Sequence, residues 1–358
     1  MDVTGLESDL PAIWRRWESR YVAAGVDVNI VGRLKSAITT WTDWYRRWAH
    51  EAADLEALAS DAYQRGHLLT AGRAWSVASL LHHFGGHCFV SDMAQFDDAH
   101  RRTVDDFARA ASLVRPPAVR LEIPFGEVSM PGYLRKPGGV DRPPVAILFN
   151  GFEGAKEENE AVRVQEYLDR GMATVTWDGP GRGETWRRLP MTGDYGPAAS
   201  ALIDALETRT DVDATRIGAV GPKRGAFLAA KAAAHDERVG ALALIRPGYD
   251  WRRTEWPRPL DLAFHMHLFH ATSPEELAER MTRRDLTLEG EAARIAASTL
   301  IISGAGDSAS DRGSRRLYDE LAGDKDWVTT PSTDTTGNDM SYKLRPMTAD
   351  YLATELKA

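Results

Sequence analysis

The residues Arg216-Ile-Gly-Ala-Val-Gly-Pro-Lys-Arg-Gly225 read as a short buried strand, a sharp turn flanked by glycines, and an Ala-rich helix from Ala226 to Ala234. A strand-to-helix turn of the form G-x-S-x-G holds one nucleophilic side chain above the end of a sheet. Here the five residues are Gly221-Pro222-Lys223-Arg224-Gly225, with lysine where that pattern has serine. Ester hydrolysis through an acyl-enzyme needs a hydroxyl or thiol at this point, so the chemistry of this chain has to be sought in an amine. At a helix N-terminus and in an apolar cleft, both the dipole and burial disfavour an ammonium, while a nearby carboxylate favours it. A neutral Lys223 could take a proton from carbon next to a carbonyl, or could condense with a ketone or aldehyde as a Schiff base. A lysine held as a fixed cation is the non-catalytic alternative.

A second concentration of reactive side chains lies in Leu80-Leu-His-His-Phe-Gly-Gly-His-Cys-Phe89. His83 and His87 share an i, i+4 face, a spacing that metals use. No acidic residue with recognisable spacing accompanies them, so the expectation is buried or pocket-lining histidines and no metal. Cys88 is the only cysteine of the chain. It excludes an intrachain disulfide, fits a reducing cytoplasm and is expected in the core.

These groups must be positioned by the elements around them. From Pro11 to about Leu113 the apolar residues recur at helical spacing, as in Trp41, Trp44, Tyr45 and Trp48. About five helices are expected, broken near Gly25 to Asn29, Ala49 to Ala53, Gly66 to His67 and Asp92 to Phe96. Six of the eleven tryptophans fall in this third; most are expected to build its core, and Trp44 and Trp48 are candidates for a pocket wall. After Pro116-Pro117, two alternating segments, 118–123 and 127–134, suit an antiparallel hairpin. Val145-Ala-Ile-Leu-Phe149 is a strand buried on both faces. Thereafter strands at 173–177, 216–221, 239–245 and 298–303 alternate with helices at 161–170, 197–208 and 226–234. That alternation predicts a doubly wound, mostly parallel sheet with ligand groups at the carboxyl ends of its strands. The stretch 250–289 breaks the order and is expected to pass over the edge of the active site.

Composition sets the outer bounds. With 358 residues, 43% of them hydrophobic, the chain can form two domains with a sizeable core. A formal charge of −8 argues against nucleic acid or an anionic membrane surface as partner. No apolar run is long enough to span a bilayer, and the acidic N-terminus is unlike a signal sequence. The expectation is a soluble cytoplasmic protein acting on a small molecule.

The order of these pieces resembles the α/β-hydrolase fold, and within it the dihydroxypseudooxynicotine hydrolase and FrsA-like group. Asn150-Gly-Phe-Glu-Gly-Ala-Lys-Glu-Glu158 and Gly171-Met-Ala-Thr-Val-Thr-Trp-Asp-Gly-Pro-Gly-Arg-Gly-Glu184 carry the likeness, which extends to Pro346-Met-Thr-Ala-Asp-Tyr351. It implies a helical cap domain over residues 1–115 and a catalytic domain over 116–358, with the active site between them. It also implies no organic cofactor, since Gly179-Pro-Gly-Arg-Gly183 matches a loop of that fold and not a nucleotide fingerprint. Members are often dimeric, and a homodimer is the corresponding expectation.

The resemblance fails at the triad. The group uses serine, acid and histidine in that chain order. Lys223 takes the serine position, Asp307 keeps the acid, and Thr335 falls where the histidine belongs, with Thr336 or Asn338 as alternatives. No histidine follows His270, so no shift of alignment restores the triad. The oxyanion donors implied are the backbone N–H groups of Phe152 and Arg224. Glu153 lies where carbon–carbon hydrolases of the group carry a catalytic carboxylate; a surface glutamate is the alternative. Glu157 and Glu158 are read as helix N-terminal charges. Some hydrolase-fold enzymes of bacterial polyketide pathways resemble this arrangement and expel acetate to leave a double bond. Lys223 would then be the base, Asp307 its orienting partner and Thr335 a hydrogen-bond donor to substrate. A Schiff-base or C–C-cleaving enzyme, or an inactive binding protein, are the other readings.

Overall fold

The structure, a computed structural model, describes residues 10–87, 89–252, 259–282, 284–306, 308–332, 334 and 336–358. It divides into two units. The described residues of Met1–Val119, Glu157–Arg163 and Trp256–His267 form the first, and those of Arg120–Lys156, Val164–Glu255 and Leu268–Ala358 form the second. The helical unit therefore includes two short segments from later in the chain.

Five helices make up most of the first unit: α1 (Leu10–Ala24), α2 (Val28–Ala37), α3 (Trp44–Gln64), α4 (Leu68–Gly86) and α5 (Met93–Ala111). Their starts follow side-chain chemistry. Asp27 caps α2 through the N–H of Asn29, and Asp92 caps α5 through the N–H groups of Ala94 and Gln95. The expected break at Ala49 to Ala53 does not occur, because Ala49-His-Glu-Ala-Ala53 consists largely of good helix formers and continues α3 without interruption. The interruption lies earlier, where Thr40 caps a short 3₁₀ turn, Trp41–Asp43.

Aromatic rings fill the centre of this unit. Trp14 and Trp44 have centroids 5.1 Å apart, Trp41 and Trp44 5.3 Å, and Tyr21 and Trp48 5.0 Å. Trp44 and Trp48 are wholly buried. A Cβ on Gly85 would stand 2.7 Å from that of Trp48, so α3 and α4 pack at a distance only glycine permits.

The second unit is built on one eight-stranded sheet. Its strands are β1 (Ala118–Phe125), β2 (Val128–Arg135), β3 (Pro144–Leu148), β4 (Ala173–Trp177), β5 (Asp213–Pro222), β6 (Val239–Ile245), β7 (Ser298–Gly304) and β8 (Lys325–Thr330). They are ordered β1-β2-β4-β3-β5-β6-β7-β8. β2 runs antiparallel to β4, and the pairs from β4 through β8 are parallel. β3 and β4 are buried at every position, as expected for strands covered on both faces.

The remaining helices are α6 (Glu157–Glu160), which lies in the helical unit, then α7 (Arg163–Leu168), α8 (Gly196–Glu207), α9 (Arg224–His235), α10 (Pro259–Leu268), α11 (Pro274–Met281), α12 (Ala309–Glu320) and α13 (Ser341–Leu356). Val164, Tyr167 and Leu168 of α7 and Leu352 of α13 cluster with Ala146, Leu148 and Val220 of the central strands. β5 lies between β3 and β6, so its carboxyl end opens at the middle of the sheet's edge. No helix among the described residues is long and apolar enough to cross a membrane.

Candidate active site

The turn after β5 is built by close contact. A Cβ on Gly221 would lie 2.6 Å from the backbone of Gly225, and one on Gly225 would lie 2.4 Å from the Phe149 carbonyl oxygen. Only glycine fits at either place. Between them Lys223 takes φ 52° and ψ −113°, a conformation that costs a residue with a side chain on the order of 1–3 kcal/mol. The backbone is held there from both sides. Lys223 N–H donates to the Ile245 carbonyl at 2.7 Å, and its own carbonyl accepts from Phe227 N–H at 3.0 Å in the first turn of α9. The side chain is half-buried, and Nζ lies 5.9 Å from the ring centroid of Trp251.

No motif in the sequence marks Trp251. Its indole N–H donates to the Pro247 carbonyl at 3.0 Å, and its backbone N–H donates to Leu286 at 2.9 Å, so the ring is fixed beside the turn. The Arg224 guanidinium lies 5.2 Å from the same ring and 4.8 Å from that of Phe152.

The loop after β3 faces this turn. Phe152 is buried. Glu153 Oε1 accepts from Arg224 Nη1 at 2.8 Å, with side chains 14% and 8% exposed. The glutamate is thus neither a surface residue nor a carboxylate directed only at substrate. It ties the loop carrying the Phe152 amide to the turn carrying the Arg224 amide, the two N–H groups expected to form an oxyanion hole. From behind, buried Arg182 donates through Nη1 to the carbonyls of Asn150 at 2.5 Å and Gly151 at 3.2 Å, and through Nε to Tyr195 Oη at 2.9 Å. Glu153→Gln keeps the shape of the tie and removes its charge. Amide exchange over residues 151–154 is expected to speed up about tenfold or more, with the amides of β5 and β6 unchanged, as hydrogen exchange mass spectrometry would show.

The loop after β4 is anchored by a buried ion pair. Lys156 Nζ contacts Asp178 Oδ2 at 2.9 Å with both side chains at 0% exposure, and reaches Glu184 Oε1 at 2.6 Å. Asp178 also accepts from the N–H groups of Lys156 and Glu184. Burial raises the Glu184 pKa, but Arg120 and Lys156 outweigh it and hold the carboxyl at about 2.

Beyond β6, Arg246 also has a positive φ, 51°. Its Nη2 meets Asp311 Oδ2 at 2.9 Å and its Nη1 donates to the Asp334 carbonyl at 3.0 Å. Asp311 further accepts from Ser303, Gly304 and Ser308. Against burial, these donors and the Arg246 charge hold its carboxyl at about 2. One arginine therefore joins the ends of β6 and β7 to the segment after β8.

Asp307 and Thr335, expected from the sequence as the acid and the replacement for histidine, lie outside the described residues, as does Cys88. Of the two alternatives to Thr335, Thr336 Oγ1 donates to Asp334 Oδ1 at 2.6 Å and accepts from Asn338 Nδ2 at 2.6 Å. In the helical unit, His83 Nε2 lies 3.4 Å from Glu158 Oε2. Glu158 stands in the first turn of α6, as does Glu157, where helix N-terminal charges were expected; it is buried and paired twice with Arg20, at 2.9 and 2.7 Å. Burial opposes its ionisation, but Arg20 holds it well below the usual carboxylate range. Trp44 and Trp48 belong to the aromatic core described above, which is the core role expected for most tryptophans of this unit.

Trp251, Arg182 and Arg246 gave little sign in the sequence. Arg182 stands in the Gly179-Pro-Gly-Arg-Gly183 run, which marks a tight loop but not what its arginine touches.

No protein-family model matches the chain. It is 34% identical over 198 residues to 2,6-dihydropseudooxynicotine hydrolase of Paenarthrobacter nicotinovorans, covering 55% of this chain and 53% of that protein. To the hydrolyase poxO of Penicillium oxalicum it is 30% identical over 222 residues, covering 58% and 52%. The chain thus spans about half the length of the curated relatives it matches. The crystal structure of 2,6-dihydroxy-pseudo-oxynicotine hydrolase superposes with a TM-score of 0.85 and 27% identity, over 94% of this chain and 95% of that one. The architecture is accordingly an α/β-hydrolase fold with a mixed, mostly parallel sheet and an N-terminal helical region.

Proposed function

We propose that this chain is a non-hydrolytic α/β-hydrolase-fold enzyme, a lyase that eliminates a carboxylate such as acetate from an acylated, polyketide-type natural-product intermediate. The observation that carries the proposal is Lys223 at φ 52° on a turn whose two glycines admit no other packing. Strain of this kind persists where the surroundings over-determine it, commonly at functional sites. The presence of both hydrolases and hydrolyases among the matched relatives agrees with a site adaptable to either chemistry.

In the proposed reaction Lys223 Nζ, as a neutral amine, takes a proton from the carbon next to a substrate carbonyl. The electron pair moves onto the carbonyl oxygen, held by the backbone N–H groups of Phe152 and Arg224. When the enolate collapses, the carbon–carbon double bond forms and the bond from the β carbon to the acyloxy oxygen breaks. The carboxylate leaves with that pair, and the proton on Lys223 is returned to water. Asp307 would orient the lysine and Thr335 would donate to the substrate or leaving group; both roles are assigned from chain order. No water attacks carbon, so the lack of a histidine beyond His270 is no obstacle.

The proposal requires Lys223 to lose its proton near neutrality. Labelling by an amine-selective reagent as a function of pH, read by peptide mass spectrometry, should give a midpoint of about 7 to 8, against about 10.4 for a free lysine. A midpoint at or above about 10 would make Lys223 a fixed cation and remove it as the base.

A further inference from the structure

Away from the sheet, three helices of the first unit bring together side chains that lie far apart in sequence. Glu56 comes from α3, His82 from α4 and Asp106 from α5. Each offers one ligand atom, and the three atoms lie within 4.8 Å of one another. His82 Nε2 is 2.8 Å from Glu56 Oε1 and 3.8 Å from Asp106 Oδ2. His82 is wholly buried and the Asp106 side chain is 4% exposed. Asp106 Oδ2, facing the imidazole, has no hydrogen-bond partner among the described residues.

We infer that Glu56, His82 and Asp106 form a binding site for one divalent transition-metal ion, with Zn²⁺ the best match to the donor set. An imidazole and two carboxylates suit first-row metals better than Ca²⁺ or Mg²⁺, and their two negative charges balance the ion. Bonds of about 2.1 Å in tetrahedral array put ligand atoms about 3.4 Å apart. The observed 2.8 and 3.8 Å bracket that spacing, so shifts of a few tenths of an ångström admit the ion on the histidine side. Glu56, whose side chain is 23% exposed, supplies the remaining adjustment and a route of entry.

Two cations compete for the same carboxylates. Arg102 Nη1 is 3.3 Å from Glu56 and Arg109 Nη1 is 3.7 Å from Asp106, but these arginine side chains are 40% and 58% exposed. Solvent and salt screen a guanidinium so exposed, which weakens its hold on the carboxylate. Both arginines can turn to solvent, whereas His82 and Asp106 cannot. The sequence concealed the site because its members are 26 and 24 residues apart and match no ligand spacing. The inference is independent of the reaction proposed for Lys223, since all three residues belong to the helical unit.

The test is calorimetric titration of the chelator-treated full chain with Zn²⁺, followed by Co²⁺ for its visible absorption. One Zn²⁺ per chain is expected, with a higher melting temperature in its presence. Asp106→Asn, close in shape, and His82→Ala should each weaken binding by about 100-fold or more, while His83→Ala on the same helix leaves it unchanged. Far-UV circular dichroism verifies that each variant is folded. Failure of the wild type to bind more Zn²⁺ than Asp106→Asn would overturn the inference, as would binding that depends on His83 instead.

Discussion

Lys223→Ala is expected to lower elimination from a β-acyloxy ketone by about 10²- to 10⁴-fold, the contribution typical of a positioned general base. Carboxylate release and the ultraviolet absorbance of the conjugated product both read the reaction. Three companion variants separate the possible roles of the side chain. Lys223→Ser restores the G-x-S-x-G pattern yet should not hydrolyse esters at an appreciable rate, because no histidine follows His270 to activate the hydroxyl. Lys223→Arg keeps a cation and removes the base, so activity surviving in it would argue for charge stabilisation. Lys223→Gly relaxes a backbone held at φ 52° and should raise stability by about 1 kcal/mol while abolishing turnover. Greater stability with lost activity is the expected mark of a strained functional residue. Borohydride reduction in the presence of substrate should leave Lys223 unmodified; a trapped adduct would convert the mechanism to a Schiff base.

Lys156→Met is expected to cost about 3 kcal/mol, the lower part of the range for breaking a buried ion pair by removing one partner. Lys156 and Asp178 are both at 0% exposure, so the orphaned carboxylate cannot turn to water. The cost stays at the lower end because Asp178 keeps two backbone N–H donors, those of Lys156 and Glu184. A lowered denaturant midpoint for loss of sheet structure would measure it. Adding Asp178→Asn should recover part of the loss, since the uncompensated charge is then gone while an acceptor remains for one amide. A Lys156→Met protein as stable as the wild type would mean that the loop after β4 does not depend on this ion pair.

What the sequence disclosed about the site depended on how local the cause was. Gly221 and Gly225 flank Lys223 within five residues, and their close approaches of 2.6 and 2.4 Å are what the pattern encodes. Strands such as Val239–Ile245 were legible because burial on both faces leaves a continuous apolar run. β8 was not, since Lys325-Asp-Trp-Val-Thr-Thr330 is an edge strand buried at only one position. The break expected at Ala49 to Ala53 is absent because the propensity of α3 is helical through that stretch.

The connections that shape the site were the hardest to see. Glu153 and Arg224 are 71 residues apart, and neither belongs to a motif that names the other. The sequence admits a catalytic or a surface role for the glutamate, and the buried pair with Arg224 is a third possibility that only proximity reveals. Arg246 resists prediction for a different reason. Its positive φ follows from the Ile302 carbonyl accepting its N–H and from guanidinium contacts to Asp311 and Asp334, all of which are set by tertiary structure.

The tryptophans of the helical unit have a spectroscopic consequence. The ring pairs Trp14–Trp44, Trp14–Trp48, Trp41–Trp44 and Trp44–Trp48 have centroids 5.1 to 6.3 Å apart, close enough for their electronic transitions to couple. Such coupling produces a paired positive and negative band in circular dichroism that vanishes once the rings separate. Because these rings all lie in one unit, that signal reports on the helices alone, while backbone ellipticity reports on the whole chain. If the two signals are lost at different denaturant concentrations, the units melt separately, and a single unfolding free energy is not defined for this protein.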